Sequence, residues 1–369
     1  MIRKLFFVVT FVLFLLVSSC HVARYFYWNY ADIKDWKKFP SLPVSKGANT
    51  FYFTESAHPI SPILPPDVAG EQDFDGFLKQ HKTVSFLIVR NDTILYERYF
   101  GEFADSSILA SFSVSKAFVS ALTGIAISEG KIGSADDPVT RYIPELLEND
   151  VRFSKIRIED LLNMRSGIKF SEAYSNPFAE MSKYYYGTNL SRTLSTLKIK
   201  TNPNQTYDYI SVNTQLLGMA IERSTGKKLS DYLTEKIWNR IGMEFDANWN
   251  MDSKKNGQIK HFCCLNGRTR DFARFGRLVL NDGNWQGEQI IPEAWMKRTK
   301  SVFNDSKDSQ NYNYTYAWRV KDDGAIFAKG ILGQYIYIDQ VKGIIIVRFG
   351  KHADGINWAY FFEKICGQL

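Results

Sequence analysis

The chain is poor in metal-binding residues: four cysteines and five histidines among 369 residues show no ligand spacing, so a zinc hydrolase has no donor set. Blocks of like charge are missing too. The 46 basic and 39 acidic side chains leave a net +7 that is spread thinly along the sequence, and this argues against a nucleic-acid partner. His58, His81, His261 and His352 are scattered, and no G-x-S-x-G elbow surrounds a serine, so a Ser-His-Asp triad has no footing. There is no internal repeat. With 45% hydrophobic and 15% aromatic residues, the chain carries enough apolar material for a large core or two packed units, which excludes disorder as the default.

The apolar stretch at residues 5–17 follows Arg3 and Lys4 and ends in Ser18-Ser19-Cys20, the layout of an export signal. It is shorter than the roughly 20 residues that span a bilayer, which favours cleavage over a stable membrane helix. Cys20 after Val17-Ser18-Ser19 resembles a bacterial lipobox, making it the expected lipid attachment site, with an uncleaved anchor at residues 1–20 as the rival. Either route implies export to the periplasm or cell surface with membrane attachment. A hydrophobic first helix of a cytosolic protein is the blander alternative. The remaining cysteines are Cys263, Cys264 and Cys366, and a disulfide between Cys366 and one of the adjacent pair is left open.

Residues 21–70 read as an aromatic and proline-rich spacer lying on the surface of the main body. Residues 83–100 form two β-rich runs around Asn91-Asp92, which predicts a hairpin. From Ser113 the apolar spacing becomes helical, with Phe118, Leu122, Ile125 and Ala126 on one side and Gly130 as a stop. Two further strands, YIYID and GIIIVRF, turn at Lys342-Gly343, and a closing helix reaches Cys366. Strands need partners, so the terminal sets are expected to pair into one antiparallel sheet. The fold class is therefore α/β (α+β): a helix-flanked sheet domain from residues 71–112 and 250–369, with a mostly helical domain at 113–249 inserted.

The pattern S-x-x-K sets a hydroxyl and an amine one helical turn apart on the same face, within proton-transfer reach. The lysine must be neutral to serve as base, and a serine at a helix start gains the N–H groups and dipole that stabilise an oxyanion. Alone the pattern is weak, because it occurs at Ser113, Ser128, Ser166, Ser195 and Ser224. Only Ser113 opens a long amphipathic helix directly after a β-rich segment. Ser113 is thus the candidate nucleophile and Lys116 its base.

In SILASFSVSKAFVSALTGIAISEGKI the chain resembles the serine β-lactamase-like and penicillin-binding-protein-like hydrolases. The segments IRIEDLLNMRSGIKFSEAY and RDFARFGRLVLNDGNWQGEQIIPEAW resemble the same family, extending the likeness over about residues 75–365. The resemblance implies a β-lactamase/transpeptidase-like fold and a second catalytic element of Tyr-x-Asn type. Tyr174-Ser175-Asn176 fits the literal form but comes too early in the order; Tyr209-Ile210-Ser211 precedes the matching helix. Tyr209 is chosen as catalytic, against the commoner fate of a packed core tyrosine, and Ser211 and Tyr174 become candidates for the proton relay or pocket wall. The Tyr-x-Ser form is similar to the 6-aminohexanoate-dimer hydrolase and esterase branch.

The family's third element, Lys-Thr-Gly or His-x-Gly, falls on FAKGILGQYIYID. Aligned on Gly330, its basic residue is replaced by Ala328, while Lys329 is one place late and is expected on the opposite strand face. That departure weakens the β-lactamase and D,D-peptidase readings. The implied backbone role survives: the N–H groups of Ser113 and Ile331, beside Gly330, would form the oxyanion hole. Arg270, Asp271, Arg274 and Arg277 read as a structural charge network.

Together these residues predict an exported esterase or amidase acting through an acyl-enzyme on a small ester or amide, without metal or other cofactor. The rival is a penicillin-binding or sensory module that keeps the fold but does not turn over. Oligomeric state is not readable.

Overall fold

A computed structural model describes residues 21–28, 30–66, 68, 73–302 and 306–369. The expected signal segment and Cys20 lie outside the described residues. Among those described, no helix is long and apolar enough to cross a membrane.

The hairpin expected around Asn91-Asp92 forms from β3 (Thr83–Arg90) and β4 (Thr93–Tyr99). Both turn residues take positive φ, 47° and 62°, which matches the right-handed twist of the flanking strands. Near the other end of the chain, β13 (Gln334–Asp339) and β14 (Ile344–Gly350) pair antiparallel, and β14 pairs with β3 from Ile344↔Arg90 onward. The two ends therefore close into one sheet. Outside β13 run β12 (Ile326–Gly330), β11 (Trp318–Val320) and β10 (Asn313–Thr315), while the edge strand β2 (Thr54–Glu55) lies parallel to β4.

Side chains alternate across this sheet as the strand period requires. One face, with Leu87, Val89, Ala328, Ile336, Ile345 and Val347, joins the main core, which includes Phe272, Phe275 and Leu278 of the helix Thr269–Leu280. The opposite face, with Phe86, Ile88, Phe327, Tyr337 and Ile346, packs on the helices Phe74–Gln80 and Trp358–Gly367. Helices dominate the middle of the chain. The two parts nevertheless share the main core, which runs from Val84 through Leu122 and Leu216 to Val347.

Residues 21–66 are not a surface spacer. Tyr25, Ile33, Phe39, Val44 and Phe53 are buried in the main core, and β1 (Ser41–Val44) pairs with β6 (Ala247–Asn250). With β5 (Leu109–Ala110) and β7 (Leu265–Gly267), these make a second sheet in the order β1-β6-β7-β5, and β8 (Asn284–Trp285) pairs with β9 (Glu288–Gln289) in a two-stranded ribbon. The aromatic residues of this stretch are core material that local pattern could not assign, because their partners lie some 200 residues away, as in Ser41↔Asn250.

Cys366 makes no disulfide. It is buried on the C-terminal helix, which packs on the far side of the large sheet, whereas Cys263 and Cys264 lie in the main core and are bonded to each other. The sheet separates the two positions. The arginines of helix Thr269–Leu280 are structural: Arg270 pairs with Glu97 at 2.6 Å, Arg274 with Glu244 at 2.9 Å and Arg277 with Asp92 at 2.6 Å.

Candidate active site

Ser113 stands in a 3₁₀ turn, Phe112–Val114, that feeds directly into the helix Ser115–Ser128. Phe112 holds a positive φ of 48°, a conformation costly for an aromatic residue and tolerated where surroundings enforce it. The next helical turn buries Lys116 almost completely, at 1% exposure. Its amine meets three acceptors: Ser113 Oγ at 3.0 Å, Ser211 Oγ at 3.3 Å and the Phe262 carbonyl at 2.6 Å. Three acceptors match the three N–H groups of an ammonium; a neutral amine would keep two and turn its lone pair to the serine.

These acceptors converge because two segments approach closely. Ser211 is the first residue of helix Ser211–Thr225, and a Cβ at Gly218 of that helix would lie 2.1 Å from the His261 ring. Glycine lets the helix touch the segment that presents the Phe262 carbonyl.

Sequence reasoning missed Glu172. Its carboxylate accepts hydrogen bonds from Ser211 N at 2.8 Å, Ser211 Oγ at 2.6 Å and the Tyr174 phenol at 2.7 Å. A chain of contacts thus runs Ser113, Lys116, Ser211, Glu172, Tyr174. The signal was within reach, since Glu172 sits in the FSEAY segment that carries part of the family resemblance, but one carboxylate among 39 acidic residues has no distinguishing pattern.

Tyr209 is brought to the site, yet its expected link to Ser113 is not made. Its ring centroid lies 5.2 Å from Lys116 Nζ and 5.5 Å from the Arg319 guanidinium, and among the described residues its phenol oxygen has no hydrogen bond. It forms an aromatic wall over the lysine. The hydroxyl in contact with Lys116, besides that of Ser113, belongs to Ser211.

Gly330 closes the site from the large sheet. An added Cβ there would fall 2.6 Å from the Ser111 carbonyl and 3.2 Å from Ser113 N, so only glycine allows β12 to approach the candidate oxyanion donor this closely. Ile331 follows it in the turn Ile331–Gly333. Ala328 faces the main core and Lys329 the other side of the strand, but the cleft wraps around to that side and Lys329 lines it.

The cleft has two lobes that meet at Ser113, Tyr174 and Ile331. The first, of about 240 Å³, is walled by Phe112, Met181, Tyr185, Tyr186, Phe262 and Leu332. Tyr30 and Ala31 of the supposed spacer complete it. The second, of about 520 Å³, holds Tyr207, Tyr209, Asp308, Arg319 and Lys329. Burial and then the Arg319 charge lower the Lys329 amine to about 8. Arg319 itself is held charged by the tyrosines and Asp308 around it, against the cost of burial.

The other four S-x-x-K serines turn their hydroxyls elsewhere. Ser128, Ser195 and Ser224 bond to carbonyls three residues back, and Ser166 bonds to Asn213. Among the described residues, no cluster of histidine, cysteine or acidic side chains could hold a metal ion.

The Beta-lactamase family model matches residues 71–355, most of the chain and every residue of this site named above except Tyr30 and Ala31. The chain belongs to the Beta-lactamase family. Among its relatives is a 6-aminohexanoate-dimer hydrolase of Paenarthrobacter ureafaciens, 26% identical over 327 residues that cover 81% of each chain. A solved structure assigned as a 6-aminohexanoate-dimer hydrolase of Bacillus anthracis superposes with a TM-score of 0.82 at 24% identity, covering 93% of this chain and 94% of that one. A class C β-lactamase superposes at 0.62 with 15% identity, covering 80% and 94%. EstCE1, a hydrolase with promiscuous acyltransferase activity, superposes at 0.62 with 14% identity, covering 79% and 95%. These superpositions establish the β-lactamase/transpeptidase-like fold, and the family match together with the 6-aminohexanoate-dimer hydrolase relative places the chain in a family of hydrolases.

Proposed function

We propose that this family member is an esterase or amidase that works through an acyl-enzyme on Ser113. The observation that carries this reading is the buried Lys116 amine, 3.0 Å from Ser113 Oγ and anchored on the Phe262 carbonyl. In its neutral form Lys116 takes the Ser113 proton as Oγ attacks the carbonyl carbon, and Ser211 bridges the lysine to Glu172. The N–H groups of Ser113 and Ile331 receive the oxyanion, with Gly330 leaving space for it. Lys116 returns the proton to the departing oxygen or nitrogen, and water then releases the acyl group. The scheme requires neither a metal nor a cofactor. Ala328 in place of a cation leaves the β-lactamase and D,D-peptidase activities as weaker readings.

Export and membrane attachment, through a lipid on Cys20 or an uncleaved anchor at residues 1–20, belong to the same proposal, supported by the sequence of residues 1–20 and by the Cys263–Cys264 disulfide, which suits an oxidising compartment. A fluorophosphonate probe is expected to label Ser113, and Ser113→Ala to abolish labelling. Labelling at another serine would overturn the assignment. A stoichiometric burst on a nitrophenyl ester, without turnover, would instead favour a penicillin-binding or sensory module.

A further inference from the structure

Twelve large hydrophobic side chains are exposed among the described residues, and five of them, Phe26, Tyr27, Tyr30, Tyr174 and Phe178, gather in one place. Scattered singly, such residues need no explanation; gathered, they mark a surface that meets something apolar. Two pieces of chain bring them together. The helix His21–Trp28 carries Phe26 and Tyr27, 66% and 83% exposed, and packs against the helix Glu180–Tyr186. Phe178, 70% exposed, lies just before that second helix, and the His21 ring neighbours the Pro177 backbone beside it. The buried Tyr25 donates from its phenol to the Tyr174 carbonyl at 3.3 Å, and its ring centroid lies 5.7 Å from that of Tyr30. The patch also reaches the apolar first lobe of the cleft, which Tyr30 and Tyr174 line. Tyr30 holds a positive φ of 74°, costly for an aromatic residue, and its carbonyl accepts from the Lys38 amine at 3.3 Å.

Position along the chain says what the patch meets. The apolar stretch 5–17 and Cys20 come immediately before His21. At about 1.5 Å per residue, Tyr27 stands within roughly 10 Å of His21 along the helix, no farther than the depth to which interfacial helices sink into a bilayer. A chain fastened to a bilayer through residues 1–20 therefore keeps Phe26 and Tyr27 at the interface, where a ring with an apolar body and a polar tip is favoured. The neighbouring charges fit a lipid surface. Arg24, one helical turn before Tyr27, shares a shallow hollow with Lys37, Lys38 and Lys254. The carboxylates nearby are engaged: Asp252 accepts from the N–H groups of Leu190, Ser253 and Gln258, Asp35 is held by Lys38 and Tyr185, and Glu180 pairs with Lys183 at 3.9 Å. Glu172 is held by Ser211 and Tyr174, and Asp32, exposed to solvent, accepts from Lys34 N. The balance beside the aromatic patch is positive, the sign that anionic headgroups attract.

We propose that this patch rests on the lipid bilayer with the apolar lobe opening towards it, so that the enzyme draws esters or amides whose acyl half is dissolved in the membrane. This rests on the membrane-attached hydrolase reading above and adds the docking surface and the route by which substrate arrives. Among the described residues no charged side chain lines that lobe, so an apolar acyl chain passes from lipid to protein without meeting a charge.

The test places the full chain in vesicles of phosphatidylethanolamine and phosphatidylglycerol, photolyses an aryl diazirine that stays dissolved in the lipid, and maps the adducts by mass spectrometry. Adducts are expected on Phe26, Tyr27 and Phe178 as well as on residues 1–20, and not on Val341 or Tyr360, which are exposed elsewhere. Adducts confined to residues 1–20, or spread equally to Val341 and Tyr360, overturn the docking surface while attachment stands. A chain that stays in the aqueous phase without adducts overturns the attachment reading itself. A second arm combines Phe26→Ser, Tyr27→Ser and Phe178→Ser, which remove rings that line neither lobe. The ratio of kcat/KM for nitrophenyl decanoate dissolved in the vesicles over nitrophenyl acetate in water is expected to fall about tenfold or more, a factor that burial of one such ring exceeds. The rate on the acetate should stay within about twofold of the parent. An unchanged ratio overturns the route of substrate entry. So does a parent chain that is dimeric in detergent and becomes monomeric in the triple variant, because the patch would then be covered by a second copy. Absence of turnover on both esters, with no fluorophosphonate labelling of Ser113, would overturn the hydrolase reading and leave the adduct map to decide the docking surface.

Discussion

At the residue scale the division of labour around Lys116 is set by which hydroxyl it can reach. Ser211 Oγ lies 3.3 Å from the amine and is oriented by Glu172, whereas Tyr209 offers the amine its ring at 5.2 Å. A hydroxyl fixed between an amine and a carboxylate can pass a proton without reorganising, whereas among the described residues the Tyr209 phenol makes no hydrogen bond. Ser211→Ala is therefore expected to lower kcat on a nitrophenyl ester by about 10²- to 10⁴-fold, the usual range for a lost acid-base group. Tyr209→Phe, which keeps the ring, should cost roughly tenfold or less. Steady-state rates of the two variants check this, and the reverse ordering would return the proton-transfer role to Tyr209. The sequence alone led to Tyr209 because the family resemblance names a tyrosine at that place. Which of two residues on one short turn points inward depends on how the helix Ser211–Thr225 docks, and that is decided by contacts such as Gly218 against His261.

At the scale of elements, the candidate oxyanion hole depends on how two strands hold one turn. β12 brings Gly330 against Ser113 N, and the turn Ile331–Gly333 is pinned from behind by Arg348 of β14. The Arg348 guanidinium is fully buried against the Trp358 ring, 3.6 Å from its centroid, and donates to the carbonyls of Gly333 at 2.6 Å and His81 at 2.9 Å. Burial lowers this guanidinium to about 9, against the opposing effects of Tyr335 and Asp354. So costly a group is retained where its removal would strand several carbonyls. Gly330→Ala, with its Cβ forced towards the Ser111 carbonyl and Ser113 N, should lower kcat by about 10²- to 10³-fold, the cost of one lost oxyanion donor. Labelling of Ser113 by a fluorophosphonate would slow in parallel, since it forms a similar oxyanion. A rate within a factor of two of the parent would place the donor elsewhere. The glycine was legible in the sequence as the anchor of the third motif; Arg348 was not, because an arginine in the run GIIIVRF reads as the solvent side of a strand end.

Across the whole molecule, what could be read in advance was whatever repeats a local period: the hairpin at Asn91-Asp92, the helix after Ser113, and the terminal strands that had to find each other. What could not be read depends on long-range contact. The aromatic stretch before residue 66 has neither a strand nor a helix period of useful length, so its residues looked like surface. Instead Tyr25, Ile33, Phe39 and Val44 fill the main core, and Lys260 Nζ, buried and lowered well below the usual amine range by desolvation and then by Arg24, rests 3.1 Å from the Phe39 ring centroid. The same segment lends Tyr30 and Ala31 to the apolar lobe. The core and the wall of the apolar lobe are thus tied to one piece of chain. Burial of an aromatic or aliphatic side chain stabilises by about 1.5–3 kcal/mol, partly offset by the entropy of ordering the backbone, so deleting residues 21–46 from the mature protein should cost at least about 3 kcal/mol. The thermal midpoint is expected to drop by roughly 5 °C or more. In the surviving folded fraction, butyryl esters should lose more kcat/KM than acetyl esters, because the deletion removes Tyr30 and Ala31 from the apolar wall that a longer acyl chain would need. An unchanged midpoint with unchanged selectivity would mean that the segment is a spacer after all, and that the apolar lobe is complete without it.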